Sequence, residues 1–439
     1  MYLRKKIVCI FIVCICLLTC HSLMAELVKE DSVSGYNTDT HDTATGSLDK
    51  SNLSVIFNQY IEAIEKKENE KGPYNKQLPE MLYSLGKKLQ FNLHPNEAIK
   101  IYRKAIYINR INDGLYGLSQ EHILRAIIES QKSQGKIKET AASYSQLLQI
   151  YSKNYAEKDT NLMLIMKEFG EWSLEAYSQT GGRHDAYYLE IAFQLYTDAI
   201  RISKESQGES HRSLLPLLNK LATTCYYLTL HKRMYPGYGE TDTSVPFGYR
   251  SMAPINQVIG RGAYFKHGRI AQNKILQILE ENPHFTLEEK AQGQINLGDW
   301  YLLFGKYQLA ISAYKRSYAI VKDSQKSTEN LDKIYSEPAM LPKRNSFFVA
   351  ERSASTVAVK SMVKSKLSPP QSYVNLLVDI TDGGNPVNIN IQEIQPSEKD
   401  EYGARAIETI RSKKFRPRLK NGLPELATEF PIRVIIPNE

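Results

Sequence analysis

Apolar residues return every three or four positions along most of the chain, beginning near Leu53 and continuing through Ile56, Tyr60 and Ile64. That period places them on one face of a helix. The helices then come in pairs. One around Leu85-Gly86 meets a turn at His94-Pro95, and its partner carries Ala98, Tyr102 and Ala105. The next, around Ile127-Ile128, ends at Gly135-Lys136-Ile137, and its partner carries Thr140, Tyr144 and Leu147. Ala98 and Thr140 stand 42 positions apart, a spacing that marks stacked supersecondary units. A third pair is predicted from Leu162 to Tyr177 and at Ala192, Tyr196 and Ala199, with Gly181-Gly182-Arg183-His184 inserted between. Leu214 to Leu230 reads as the first half of another. The clearest copy runs Leu297-Gly298-Asp299-Trp300-Tyr301, then Gly305-Lys306-Tyr307, then Ala310, Tyr314 and Ser317.

Small Gly298 and Ala310 let two helix backbones approach closely, and Tyr301, Tyr307 and Tyr314 fill the groove between neighbours. A single pair leaves an apolar face exposed, whereas a stack buries it. In order and spacing, Leu297, Gly298, Tyr301, Gly305, Tyr307, Ala310 and Tyr314 resemble the tetratricopeptide repeat (TPR). Earlier copies depart from it, with Leu89 or Gln131 at the first aromatic site and Thr140 at a small site. The period near 42 resembles the longer variant of the repeat in kinesin light chains. The resemblance implies a superhelix whose concave surface holds a protein or peptide.

Two stretches break the helical pattern. Residues 234–262 are rich in Tyr, Pro and Gly and read as a long loop between helices, either a spacer or a binding surface. Residues 323–370 are rich in Ser and Lys with scattered prolines and read as a linker, with Phe347, Phe348 and Val349 docking locally.

Beyond the linker the period changes to two. Residues 373–380 alternate as a strand, Asp382-Gly383-Gly384 supplies a tight turn, and Val387, Ile389 and Ile391 continue as a second strand. Asp400 to Lys413 reads as a helix with Ala404, Ile407 and Ile410 toward the sheet. After Phe415-Arg416-Pro417 and the turn at Asn421-Gly422, residues 427–436 form the closing strand. This ββαβ order predicts a three-stranded sheet with a helix on one face. Phe415 plugs helix to sheet, Pro417 fixes the exit from the helix, and Gly422 serves the turn alone. Arg416, Arg418 and Lys420 alternate on the outer side, where they meet solvent or the acidic groups of a partner.

These elements, with Phe430-Pro431-Ile432-Arg433-Val434 at the end, resemble the C-terminal domain of TonB-type energy transducers over about 65 of the 439 residues. The resemblance implies a module that pairs with an extended peptide, or another domain, along a sheet edge. The chain lacks the long Pro-rich stretch of a transducer, and its apolar N-terminal run has no polar residue placed for contact with a motor complex.

That run follows Arg4-Lys5-Lys6 and extends from Ile7 to Leu18 before small Ala25, which predicts a secretion signal over residues 1–25, cleaved after Ala25. A retained anchor, or a lipoprotein joined at Cys20, are the alternatives. Residues 26–54 are polar and predict a flexible leader. The repeats are then assigned to residues 55–233 and 263–322, and the TonB-like domain to 371–439. Loss of the signal removes four of five cysteines and leaves Cys225, so no internal disulfide is expected. It also lowers the formal charge from +8 to +5, and no basic run interleaved with aromatics offers a nucleic-acid groove.

No nucleophile, phosphate-loop or zinc-protease motif follows the signal. His184, His211, His231, His267 and His284 have no ligand spacing, and Cys225 beside Tyr226 and Tyr227 reads as a buried structural thiol. No catalytic residue, metal or cofactor is expected. The chain is thus read as mainly α, a TPR-like superhelix followed by a small α+β domain. The expected role is a periplasmic, non-catalytic scaffold with an envelope protein or peptide as partner. The alternative is a divergent TonB-like component that contacts outer-membrane receptors in nutrient uptake.

Overall fold

The computed structural model describes residues 50–179, 186–234, 263–322, 335–341, 351–352, 372–397 and 399–436. The chain divides into two compact units, Met1–Gln59 and Tyr60–Glu439. The segment 1–49, the insertion at 181–184, the Tyr-rich stretch from 235 to 262, and Phe347, Phe348 and Val349 lie outside the described residues.

The fold is mainly helical. Helix α1 (Lys50–Lys71) is followed by five pairs. These are α2 (Leu78–Phe91) with α3 (Pro95–Asp113), α4 (Glu121–Ser133) with α5 (Ile137–Asn154), and α6 (Thr160–Gln179) with α7 (Tyr187–Gln207). Then come α8 (Leu214–Met234) with α9 (Ala263–Glu281), and α10 (Leu287–Leu303) with α11 (Tyr307–Lys322). From α2 to α11 each helix packs on its neighbours in the chain, so the pairs are TPR-like. Residues 235–262 therefore fall between α8 and α9, the two helices of one pair.

Three of the turns between paired helices are closed in the same way. The N–H of His94, Lys136 and Lys306 donates back to the carbonyl of Leu89, Gln131 and Tyr301 at 2.9, 3.0 and 2.8 Å. Such a closure needs a left-handed residue just before the donor. Gly135 (φ 64°) and Gly305 (φ 68°) supply it, but in the first pair the position is Leu93 (φ 66°). The tyrosine of the second helix lies over the glycine of the first: a Cβ built on Gly86, Gly170 or Gly298 falls 2.3, 3.0 or 2.4 Å from Tyr102, Tyr196 or Tyr314. In each of the first two pairs, the end of the second helix is also latched to the segment that leads into the first. Asn112 Nδ2 donates to the Tyr74 carbonyl (2.9 Å) and, 42 residues later, Asn154 Nδ2 donates to the Tyr116 carbonyl (2.7 Å).

The C-terminal module has strands β1 (Ala339–Leu341), β2 (Glu351–Arg352), β3 (Ser372–Ile380) and β4 (Pro386–Gln395), helix α12 (Glu401–Arg411), and strands β5 (Lys414–Arg416), β6 (Arg418–Lys420), β7 (Leu423–Glu425) and β8 (Ala427–Ile436). Its main sheet has four strands in the order β2-β8-β3-β4, all antiparallel, where three were expected. Central β3 buries every second residue, Val374, Leu376, Val378 and Ile380, against Ile432, Val434 and Ile436 of β8 and Tyr402, Ala406 and Ile410 of α12. Ala404 is exposed, because the inward stripe of α12 runs through Tyr402, Ala406 and Ile410 and not through Ala404.

The expected linker is partly built into this module. β1 pairs with β5 (Leu341 opposite Lys414, Ala339 opposite Arg416), and β2 pairs with β8. Tyr335 and Leu341 join a core with Ala291, Ile295, Leu302, Ala310 and Tyr314 of the last helix pair and Leu419 of β6. The module is therefore packed on α10 and α11. Gly422 (φ 74°) does more than turn the chain: a Cβ there would lie 2.9 Å from Lys315 Cα and from Tyr318 Cβ.

Candidate functional site

The first helices of the third, fourth and fifth pairs face the same space and line a pocket of about 470 Å³, a volume in the usual range for ligand sites. Helix α6 contributes Lys167 and Glu171; α8 contributes Pro216, Asn219, Lys220, Ala222, Thr223 and Tyr226; α10 contributes Gln292, Asn296, Asp299, Trp300 and Leu303. Gln272 of α9 and Leu341 of β1 complete the lining. One end is charged (Lys167, Glu171, Lys220), the middle is rich in carboxamides, and the other end is apolar. Carboxamides both donate and accept, which suits them to the peptide groups of an extended chain. Burial pushes the Lys220 ammonium below its usual range, with Glu171 opposing and the charge of Lys167 adding to the shift.

Asp299, at the apolar end, accepts from Arg416 Nη1 at Oδ2 (3.1 Å) and from the Tyr314 hydroxyl at Oδ1 (2.9 Å). Both charged side chains are buried, at 2% exposure for Arg416 and 8% for Asp299. Burial, reinforced by the Asp299 charge, holds the Tyr314 hydroxyl protonated far above its usual range. Around this pair, the Tyr335 hydroxyl meets Ser317 Oγ at 2.6 Å, and the Tyr318 and Tyr307 hydroxyls donate to Asn421 (2.8 Å) and Asp382 (3.3 Å).

Arg416 thus does not lie on the outer side. It ends β5, and Pro417, which lacks an N–H for a ladder, separates β5 from the β6–β7 ribbon, so the alternation does not run through all three basic residues. Arg418 and Lys420 do face outward, and both approach the Glu425 carboxylate, at 3.4 and 3.9 Å. Phe415 and Pro417 are buried. In the last helix pair, Leu297, Ala310 and Tyr314 are core, Tyr301 and Tyr307 are half-buried, and Gly305 sits in the left-handed turn. Asp299, Lys220 and Trp300 were not singled out by sequence. The available signal was an acid directly after Gly298, inside the motif that packs the pair.

Cys225 is fully buried and burial drives its thiol well above the usual range, so the thiolate a nucleophile needs is suppressed. Among the described residues there is no group of three or more His, Cys, Asp and Glu able to hold a metal ion, and no helix is long and apolar enough to cross a membrane.

No protein-family profile and no curated protein matches the sequence. Among solved structures, the nearly identical TPR-like repeats of a Podosopora anserina kinesin light chain align over 58% of this chain and 100% of theirs, at 14% identity and a TM-score of 0.36. BtubC (BKLC) from P. vanneervenii aligns over 64% of this chain and 95% of its own, at 14% identity and a TM-score of 0.32. Likeness at this level says nothing about partners, and the pairing of the helices rests on the contacts within this chain.

Proposed function

We propose that this chain is a non-catalytic protein-binding scaffold of the periplasm of a Gram-negative bacterium, with an envelope protein or peptide as its partner. The observation that carries the binding role is the amide-lined pocket spanning three successive first helices, a rigid surface of the length and chemistry an extended segment needs. Export is supported by the basic and apolar pattern of residues 4–25. A photo-crosslinking residue placed at Asn296 in the native cell tests both parts. Specific adducts with envelope proteins, and a chain beginning at Glu26, are expected. A chain retained in the cytosol, or one that gives no adduct at Asn296 while forming them at the exposed face of α3, would overturn the reading.

The divergent TonB-like reading draws on the open outer edge of β4, ten residues long and without a strand partner on that side among the described residues. Open edges pair with extended chains. Crosslinks from Asn390 to outer-membrane receptors would favour it over the scaffold reading; crosslinks from the helical pocket alone would exclude it.

A further inference from the structure

Two buried polar atoms stand unpaired in the pocket wall. Gln272 and Trp300 both belong to the lining and are 6% and 3% exposed, yet Gln272 Oε1 and Trp300 Nε1 have no hydrogen-bond partner among the described residues. Leaving such a group unpaired costs folding free energy, and most buried donors and acceptors find a partner. The two atoms also belong to one stretch of wall. A Cβ built on Gly268 of α9 falls 2.3 Å from Trp300 Cζ2 and 2.2 Å from Cη2, so the indole edge that adjoins Nε1 rests on α9, and Gln272 is one turn further along that helix. Phe265 and Phe304 pack against the Trp300 ring, with centroids 6.2 and 4.5 Å away. The buried ring therefore offers a ligand its N–H and little of its faces.

We propose that this part of the pocket seats an amide group of the bound segment. The amide carbonyl accepts from Trp300 Nε1 and an amide N–H donates to Gln272 Oε1, so the ligand supplies both missing partners. This rests on the scaffold reading above and adds a subsite to it. The entering amide gives up its hydration, but the two protein groups have already lost theirs in folding, so the bonds form without a second dehydration of the protein. Beside them, Leu303 and Leu341 form an apolar wall that takes the carbon chain next to the amide. A carboxylate has no donor for the Gln272 oxygen and an ammonium has no acceptor for the indole, which makes the pair selective for a neutral group carrying both. A sugar hydroxyl carries both as well, but the Trp300 faces on which a sugar ring would stack are packed against protein.

The test uses the full chain with isotope-labelled tryptophan, whose two residues, Trp172 and Trp300, give two indole N–H signals that Trp172→Phe assigns. Short peptides are selected against the same chain from a displayed random library, and their affinities are measured by fluorescence anisotropy. The selected peptides are expected to shift the Trp300 indole proton downfield and slow its exchange while the Trp172 signal stays in place. Gln272→Met keeps the length of the side chain and removes the unpaired oxygen, so it should weaken binding about ten-fold without lowering the thermal midpoint; Trp300→Phe should weaken binding to a like extent. A side chain needed only for folding would lose stability and affinity together. Alanine in place of each Asn or Gln of a peptide, set against N-methylation of each main-chain amide, tells which kind of amide occupies the seat. Peptides weakened by Asn296→Arg that leave the Trp300 signal unmoved and bind Gln272→Met as well as the wild type would overturn the seat and keep the scaffold. So would a Trp300 signal already in its bonded position before peptide is added and unmoved by it, the mark of a bound water only. Oligosaccharides that shift the signal where the peptides do not would likewise sink the amide assignment. No selected peptide at all, or peptides indifferent to Asn296→Arg, Gln272→Met and Trp300→Phe alike, would overturn both readings.

Discussion

Removing the Arg416 guanidinium leaves Asp299 as a buried acid that still accepts from the Tyr314 hydroxyl. At 3.1 Å the direct attraction is about 5 kcal/mol for an effective dielectric of about 20. Much of that is offset by desolvation, and breaking such a pair from one side costs about 3–5 kcal/mol. Arg416 Nε is buried and has no hydrogen-bond partner among the described residues, so its removal recovers about 1 kcal/mol. Arg416→Met is therefore expected to destabilise the docked state by about 2–4 kcal/mol. Denaturant unfolding, followed both by circular dichroism and by hydrogen exchange at the β6–β7 hairpin, measures it. The double variant Asp299→Asn with Arg416→Met removes both charges and should recover most of the loss. A single-variant cost below about 1 kcal/mol, or a double variant that merely sums the two singles, would refute the assignment of a coupled buried pair.

Leu93 is 87% exposed and holds the left-handed turn that glycine holds in two other pairs, so Leu93→Gly should raise stability by about 1 kcal/mol in denaturant unfolding; a loss would show that the Leu93 side chain makes a contact worth more than the backbone strain. Gly298→Ala drives a Cβ to 2.4 Å from Tyr314, against 3.0 Å from Tyr196 at Gly170. It should cost about 1–3 kcal/mol while Gly170→Ala stays near neutral, the clash there being offset by about 1 kcal/mol of helix propensity; the reverse order would contradict the packing. Hydrogen bonds from the Asn388 side chain and then from the Glu429 backbone N–H hold the Asp379 carboxyl below its usual range. Its contribution to stability is thus present above the unfolded value of about 3.9 and is lost as pH falls through the folded one. Carboxyl NMR titration should show Asp379 moving up in Asn388→Ala, and an unmoved titration would contradict the assigned cause.

The elements readable in sequence are those whose cause is local. Gly298 and Tyr314 are 16 positions apart on helices joined by a tight turn, and residues 427–436 form the closing strand at the expected bounds. Asn421-Gly422 likewise carries its positive φ in its composition. What was misread depends on distant partners. Arg416 meets an acid 117 residues earlier in the chain, and nothing in its neighbourhood distinguishes it from Arg418. The pocket is harder still. Lys167, Asn219 and Asn296 each look like an ordinary polar position on a helix surface, and only the stacking of three pairs makes them one lining. Leu93 hides a left-handed turn behind a residue that ordinarily avoids one.

The asparagine latches have a bearing on how such a chain can change length. Because the hydrogen-bonding asparagine and the carbonyl it reaches recur 42 residues apart, a duplicated segment of that size arrives with its own fastening. The final pair has no such freedom, since Asp299, Lys315 and Tyr318 fit one particular module. Gene duplication can therefore lengthen the array near its beginning at little structural cost, while the end next to the module is fixed, and variation in the number of repeats among descendants is expected to be confined upstream of α10.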